Sequence, residues 1–290
     1  MIAVMMGMKG ANLPTLISFF LEPFSHPFMV RALATAILVG IVSAVVGTYV
    51  VLRGMAFFGD ALAHTILPGV ALGYLVSGGT RDSLFWWALA TAVIAALGIG
   101  AISKGSQIKE DTAIGVIFAG MFALGIALIS TVRSYAVDLS HFLFGDLLGV
   151  SPKSLWLILL FGGLVLLAVA IFYKEFLTLS FDPILAVTMR LPVGFLENLL
   201  LALIAVTIAV SLQTVGVALM VAMLVTPAAT ASLLTHRLPI MMGLAALLAS
   251  LSGLIGLYLS YYLSIASGAA IVLTATAFFL LTFIGKRLRS

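Results

Sequence analysis

Apolar residues run through this chain in long blocks separated by short polar stretches. About 20 consecutive apolar residues are needed for a helix to cross the hydrocarbon core of a bilayer. Nine blocks approach or exceed this length, although the pattern is also compatible with eight or ten spans. They cover residues 30–52, 55–76, 84–102, 112–132, 155–173, 195–212, 214–234, 239–263 and 267–284. The pattern predicts an all-α integral membrane protein with about nine transmembrane helices.

Polar residues and prolines set the boundaries of these blocks. Gln213, followed by Val215 and Gly216, marks either a short outside turn or a broken helix between the sixth and seventh blocks. Residues 1–29 are predicted to form an interfacial lead-in, because Pro23 and Pro27 disfavour one uninterrupted helix there. Residues 30–285 then form a single transmembrane domain, and residues 286–290 form a cytoplasmic tail.

Composition supports the membrane assignment and excludes several kinds of site. The chain is 63% hydrophobic and 8% charged, whereas soluble domains carry about 25% charged residues. The net charge of +4 is small and is attributed to cytoplasmic loops, so no nucleic-acid partner is expected. The chain has no cysteine, which excludes disulfides and thiolate metal sites. Any metal ligands must therefore be nitrogen and oxygen atoms.

The distribution of positive charge predicts the orientation. With nine spans, nine of the 14 Lys and Arg residues fall on the side that carries the C-terminus, and five fall on the other. Positive residues are enriched in cytoplasmic loops. The C-terminus is therefore predicted to be cytoplasmic and the N-terminus to lie outside.

Asp60 and His64 are the residues that point most directly to chemistry. They lie four apart inside the apolar block 55–76, where a charged side chain costs at least about 2.5–3.5 kcal/mol. Four residues is about one helical turn, so both side chains share one face. Gly69 and Gly73 fall on the opposite face, where a neighbouring helix could approach closely. Pro68 removes the backbone donor that would bond the carbonyl of His64.

A divalent cation explains this charged pair, but one chain supplies too few ligands to bind it. Two copies of the helix across a twofold axis would give two carboxylates and two imidazoles, a set that suits Mn²⁺, Zn²⁺ or Fe²⁺. The alternative is a hydrogen-bonded Asp60–His64 pair that holds the helix bundle together. The residue types alone leave both readings open.

A second polar group lies in the outer loop. Asp138, His141 and Asp146 are close in sequence and form a candidate outer gate or entry element. The alternative is an ordinary re-entrant or interfacial segment.

The inner segment 179–193 is predicted to form a short helix at the membrane surface. Asp182 is a good N-cap, and Pro183 suits the first helical turn. Such a helix could dock a partner. The sequence contains no Gly-x-x-x-x-Gly-Lys-Ser/Thr phosphate loop, so an ATPase that drives transport would be a separate chain. It also lacks the Gly-x-Ser-x-Gly and His-Glu-x-x-His motifs, which argues against an intramembrane hydrolase.

Several stretches in this order resemble the membrane permease subunit of the manganese/zinc/iron ABC importers. The most specific are Gly59-Asp-Ala-Leu-Ala-His-Thr-Ile-Leu-Pro-Gly-Val-Ala-Leu72 and Thr226-Pro-Ala-Ala-Thr-Ala231. Leu52-Arg-Gly-Met55, Asp111-Thr-Ala-Ile-Gly115 and Phe144-Gly145 with Leu147-Leu148 also match. The resemblance runs from about residue 28 to residue 283.

The resemblance implies a type II ABC importer permease that acts as a homodimer in a prokaryotic plasma membrane. Its partners would be two cytoplasmic ATPase subunits and an extracellular metal-binding lipoprotein. No cofactor is expected to be permanently bound, since the divalent metal ion is the cargo. Manganese is the favoured ion, and zinc and iron(II) are the alternatives. The permease itself would not be an enzyme.

The resemblance also assigns roles to residues of this chain. Asp60 and His64 match the family's intramembrane metal ligands. The ATPase-coupling residues are Asp182, Ala186, Met189, Arg190 and Pro192. One departure is Arg190, where relatives often have glycine, and it affects the shape expected for that turn.

Two other transport classes remain as alternatives. A secondary carrier or channel for divalent metals would need no ATPase. An ABC permease for a metal chelate such as a siderophore would need a wide cavity, in which a buried Asp–His pair would be out of place.

Overall fold

Helices form all the regular secondary structure in the part of the chain that this computed structural model describes, residues 22–77, 81–105, 110–131 and 145–289. A short 3₁₀ turn, Glu22–Ser25, precedes α1 (Pro27–Leu52), α2 (Ala56–Thr65), α3 (Leu67–Ser77), α4 (Arg81–Gly105), α5 (Glu110–Ser130), α6 (Pro152–Ile171), α7 (Tyr173–Phe181), α8 (Pro183–Thr188), α9 (Val193–Leu234), α10 (Leu238–Leu263) and α11 (Ser267–Arg289). With α2 and α3 taken as one span, eight helices in these ranges are long and apolar enough to cross a membrane. The all-α membrane prediction is confirmed, and eight lies within the predicted range.

The longest helix, α9, is interrupted near its middle. It has 42 residues, and at ~1.5 Å per residue a straight helix of this length would be about twice as long as the ~30 Å hydrocarbon core. Gly216 breaks it with φ 77° and ψ 170°, a backbone conformation open mainly to glycine. The predicted boundary at residues 213–216 is therefore a broken helix.

Contacts of α9 with α1 show that its second half returns toward its own beginning. Near the start of α9, the Glu197 carboxylate pairs with Arg53, which directly follows α1. In the second half of α9, the backbone of Leu224 is so close to Gly47 of α1 that a Cβ on this glycine would collide with the Leu224 carbonyl. Gly47 lies less than two turns from the end of α1. The two halves of α9 thus run in opposite directions, which reconciles eight long helices with nine predicted segments.

We call the end of the bundle that carries Arg53, Lys104 and Glu197 the ion-pair end. Lys104 is in the last turn of α4, and its ammonium lies 2.9 Å from the Glu197 carboxylate. Gly216 lies at the other end, where Gly145 packs directly against its backbone.

The helices differ strongly in how deeply they are buried. The most apolar window of Ala56–Ser77 is 72% buried, and that of α1 is 67% buried. The corresponding windows of α5, α6 and α11 are 17%, 22% and 22% buried. The segment that carries Asp60 and His64 is therefore interior, whereas α5, α6 and α11 form the outside of a single chain.

The structure divides the predicted single helix 55–76 into α2 and α3 at Ile66. Pro68 has no backbone N–H with which to bond the carbonyl of His64, so the hydrogen-bond ladder is interrupted at this point. The first long helix also begins earlier than predicted, at Pro27, because proline suits the first helical turn.

Candidate metal site on an interior helix

A tight turn between α1 and α2 determines where the site helix begins. Gly54 has φ 69°, and its N–H donates to Val51 O at 3.1 Å. The N–H of Met55 donates to Val50 O at 2.9 Å. This pair of bonds is the Schellman closure that ends many helices at a glycine. The side chain of Met55 is 2% exposed, so the turn is anchored in the core and the start of α2 is fixed.

One narrow face of α2 remains open in the single chain. Buried residues surround it on the rest of the helix: Phe58, Gly59, Ala61, Leu62, Ala63 and Thr65. The side chain of Asp60 is 41% exposed and that of His64 is 27% exposed. Phe57 on the same face is 49% exposed. The predicted shared face of Asp60 and His64 is thus the open face of an otherwise buried helix.

The histidine ring is oriented mainly by the helix backbone. His64 Nδ1 lies 2.9 Å from the carbonyl oxygen of Asp60 and 3.7 Å from Asp60 Oδ1. A carbonyl oxygen only accepts hydrogen bonds, so Nδ1 carries the proton and donates to it. In the neutral ring with this tautomer, Nε2 keeps its lone pair, as a metal-binding imidazole requires.

Aromatic side chains of α5 contact the imidazole. The rings of Phe118 and Phe122 meet the His64 ring edge-on, with centroids 5.8 and 5.7 Å away. These two rings stack on each other at 5.8 Å, and Phe57 contacts Phe118 at 6.1 Å. The aromatic contacts restrict the motion of the imidazole and surround it with apolar groups.

The opposite face of the segment packs against α4, as the sequence predicts. A Cβ on Gly69 would lie 2.5 Å from the carbonyl oxygen of Trp87 and would also collide with Thr91. A Cβ on Gly73 would lie 3.1 Å from the Trp87 ring. The two glycines allow close helix contact, which holds the segment in place while its polar face stays open.

Among the described residues, the site brings together two ligand-type side chains, Asp60 and His64. No group of three or more His, Cys, Asp or Glu side chains that could hold a metal occurs within the described ranges. One carboxylate and one imidazole nitrogen can bind a divalent transition-metal ion only if other ligands complete its coordination shell.

The predicted coupling residues lie together around α8 at the ion-pair side of the chain. Asp182 Oδ1 accepts a hydrogen bond from Leu185 N at 2.9 Å, which confirms the predicted N-cap. Ala186 is fully buried, whereas Met189 is 58% exposed. Pro192 is the residue that precedes α9.

Arg190 adopts the left-handed conformation with φ 58°. Its N–H donates to Val187 O, and Leu191 N–H donates to Ala186 O at 3.1 Å. These bonds form a second Schellman closure, in which the residue at this position is usually glycine. The structure therefore gives a physical reason for glycine at this position.

Of the candidate outer-gate residues, Asp138 and His141 lie outside the described residues. Asp146 Oδ1 accepts a hydrogen bond from Gly149 N at 2.9 Å. Its observed contact therefore orders a turn that precedes α6.

The sequence does not reveal the contact partners of His64 and Glu197. The contacts of Phe118 and Phe122 with His64 depend on how α5 packs, and no local pattern indicates them. Glu197 carried a usable signal, because it is an acidic residue near the start of an apolar helix, and such residues commonly have a partner.

Membrane-length helices packed around an interior helix with an open Asp–His face define a multi-pass membrane protein as the class. The chain belongs to the ABC 3 transport family, whose family model matches residues 25–286. It is 46% identical over 265 residues to the manganese transport system membrane protein MntC of Halalkalibacterium halodurans, covering 91% of this chain and 89% of that one. It is 37% identical over 274 residues to the chelated iron transport system membrane protein YfeD of Yersinia pestis, covering 94% and 91%. A solved structure of PsaBC from Streptococcus pneumoniae in complex with Fab superposes with a TM-score of 0.79 at 41% identity, covering 92% of this chain and 95% of that one.

Proposed function

We propose that this chain is the permease subunit of an ATP-driven importer of divalent transition-metal ions and that two copies form the translocation pathway. The supporting observation is the open face of α2, where Asp60 and His64 are partly exposed on a helix whose other faces are buried. Two copies across a twofold axis would bring together two carboxylates and two imidazoles. This set would replace part of the ion's hydration shell and stabilise two positive charges inside the membrane.

Manganese is the proposed cargo. The chain offers carboxylate oxygen and imidazole nitrogen and has no cysteine, which is compatible with manganese, iron(II) and zinc. The MntC relative is named for manganese transport, and the YfeD relative is named for chelated iron. The higher identity is to the manganese protein, which favours manganese.

The apolar surface around α8 is the proposed docking site for a separate ATPase chain. Phe181, Ile184, Val187 and Met189 are between 56% and 79% exposed. Two of them lie on α8 and the other two flank it. This helix of six residues begins and ends in hydrogen-bonded turns. One such surface on each copy would receive one of two cytoplasmic ATPases, and an extracellular lipoprotein would deliver the ion at the opposite end.

Charge supports a cytoplasmic location for the ion-pair end. Arg53, Lys104, Lys174 and Arg190 lie at this end or on the helices that extend from it. Positive residues are enriched on the cytoplasmic side of plasma-membrane proteins. The proposed orientation places both the α8 surface and the C-terminus in the cytoplasm.

Uptake of radioactive ⁵⁴Mn²⁺ by cells that depend on this permease tests the proposed function. We expect Asp60→Asn and His64→Gln each to lower uptake by about tenfold or more, since loss of even outer-shell metal partners costs 10–100-fold. Glu22→Gln and His236→Gln, at exposed positions away from the site, should transport at wild-type rates. Normal uptake by both site variants at equal membrane expression would refute the site assignment.

A further inference from the structure

Glu197 joins three helices at the ion-pair end. Its Oε2 lies 2.9 Å from Lys104 Nζ, and its Oε1 lies 3.6 Å from Arg53 Nη2. The side chains of Glu197 and Arg53 are only 21% and 16% exposed, so this contact is shielded from solvent far more than an ordinary surface pair. A single carboxylate therefore connects the start of α9 to the ends of α1 and α4.

Lys104 also fastens the first turns of α9 through neutral partners. Its ammonium donates to the carbonyl oxygen of Gly194 at 3.2 Å and to Asn198 Oδ1 at 3.0 Å. Loss of the Lys104–Glu197 contact alone would thus loosen the packing of α9 on α4 without breaking the connection to Arg53.

On one side, Glu197 is connected to the α8 docking surface by a short and ordered segment. The Schellman closure at Arg190 ends α8, and Val193 N–H then donates to Leu191 O at 2.8 Å. Pro192 directly precedes α9, and Glu197 follows it by five residues. A displacement of α8 would move the first turns of α9, and with them the carboxylate.

On the other side, Arg53 is connected to the site helix by the rigid turn at Gly54. The two hydrogen bonds of that turn and the buried side chain of Met55 fix Arg53 relative to α2. Asp60 lies about two turns farther along the chain. The Arg53–Glu197 contact is thus a direct link between the docking surface and the helix of the metal pair.

The Arg53 side chain has unused hydrogen-bonding capacity. Its Nη1 is buried and has no hydrogen-bond partner among the described residues, and the 3.6 Å Nη2–Oε1 separation is long. A guanidinium can bind a carboxylate through two parallel N–H bonds at about 2.7–2.9 Å. A small approach of Glu197 would provide this arrangement, so the observed 3.6 Å separation leaves room for a closer contact.

We propose that the Arg53–Glu197 contact transmits movement of the ATPase-docking segment to the helix that carries Asp60 and His64. This inference rests on the proposed function. Glu197 and Arg53 touch no metal ion, so they act as positioning residues. Their loss should uncouple ATP hydrolysis from transport and leave metal binding intact.

The test uses the complete transporter in proteoliposomes, with Mn²⁺ uptake and ATP hydrolysis measured in the same vesicles. We expect Glu197→Gln and Arg53→Gln to lower the ratio of uptake to hydrolysis by about threefold or more, within the range for residues that modulate coupling. Glu197→Asp, which keeps the charge, should recover part of this loss. Mn²⁺ binding to the detergent-purified complex should stay within about twofold of wild type, because the metal pair is unchanged.

The Lys104→Gln variant distinguishes transmission of movement through Glu197 from a purely structural role of Glu197. It removes the shorter of the two contacts of Glu197, so a purely structural role predicts the greater damage from this variant. Transmission through Arg53 predicts the greater loss of coupling from Arg53→Gln. An unchanged ratio in Arg53→Gln, or an equal loss in Lys104→Gln, would overturn the inference. The comparison of Arg53→Gln with Lys104→Gln tests the proposed transmission route even if Glu197→Gln fails to assemble.

Asp60→Asn in the same assay keeps the two proposals distinguishable. If this variant imports Mn²⁺ normally, the proposed function fails. If it is inactive while the Glu197 and Arg53 variants remain fully coupled, only the transmission route fails.

Discussion

At the scale of single residues, the geometry of Asp60 and His64 argues against a closed ion pair. It is compatible with both side chains acting as ligands of a metal ion. The nearest carboxylate oxygen is 3.7 Å from His64 Nδ1, longer than the about 2.7–2.9 Å of a charge-assisted hydrogen bond. The imidazole proton is instead directed to the backbone carbonyl of Asp60. The carboxylate and Nε2 are therefore both left for a third group on the open face.

Arg190 gives a prediction that depends only on its backbone conformation. A side chain in the left-handed region costs about 1–2 kcal/mol, which glycine avoids. We expect Arg190→Gly to slow hydrogen exchange of the Leu191 amide, which closes α8, by about fivefold, since this corresponds to roughly 1 kcal/mol.

Arg190→Ala is the matched control, because it removes the guanidinium but keeps the Cβ. Hydrogen exchange followed by mass spectrometry compares the two variants over residues 183–193. Equal exchange in the glycine and alanine variants would show that the backbone at this position is not strained.

Helical periodicity was enough to place Asp60 and His64 on one face, since four residues are about one turn. It could not indicate that Nδ1 bonds a carbonyl or that Phe118 and Phe122 contact the ring, because these depend on rotamers and on the packing of α5. The pairing of Glu197 with residues about 90 and 140 positions away is likewise a product of tertiary structure. Local pattern therefore placed the two proposed ligands on one face but did not indicate what orients the imidazole.

At the scale of helices, Gly69 and Gly98 form a matched pair for close packing. A Cβ on Gly69 of α3 would collide with α4, whereas a Cβ on Gly98 of α4 would meet nothing within 4 Å. We expect Gly69→Ala to destabilise the protein by about 1–3 kcal/mol through overpacking. Gly98→Ala should be neutral or stabilising by up to about 1 kcal/mol, because alanine favours helix.

Thermal unfolding of the detergent-purified complexes measures this difference. A lower midpoint for Gly69→Ala alone is the expected outcome. Similar midpoints for both variants would mean that α3 and α4 can separate without cost.

The helix boundaries show where the sequence was informative and where it was not. Asp182 and Pro183 correctly predicted the start of α8, because capping is local chemistry. Pro68 removes a backbone donor, but the pattern of apolar residues continues past it and does not indicate the break at Ile66. At Gly216 the sequence left a turn and a broken helix open, and the contact between Gly47 and Leu224 shows the reversal.

At the scale of the whole molecule, the proposed function gives each chain half of a metal site. The interior segment Ala56–Ser77 is among the most buried in the bundle, yet Asp60 is 41% exposed on it. A carboxylate this open within a membrane is costly unless water, a cation or another protein surface meets it. In the proposed dimer, a second copy with its own Asp60–His64 pair would meet this requirement and complete the ligand set.

The stoichiometry of bound Mn²⁺ tests this central claim most directly. Equilibrium binding to the purified complex, with the permease chain quantified by amino-acid analysis, gives the number of ions per chain. Two chains sharing one site predict one Mn²⁺ ion per two permease chains, with this binding lost in Asp60→Asn. One ion bound per chain, or half-stoichiometric binding that persists in Asp60→Asn, would contradict the shared site.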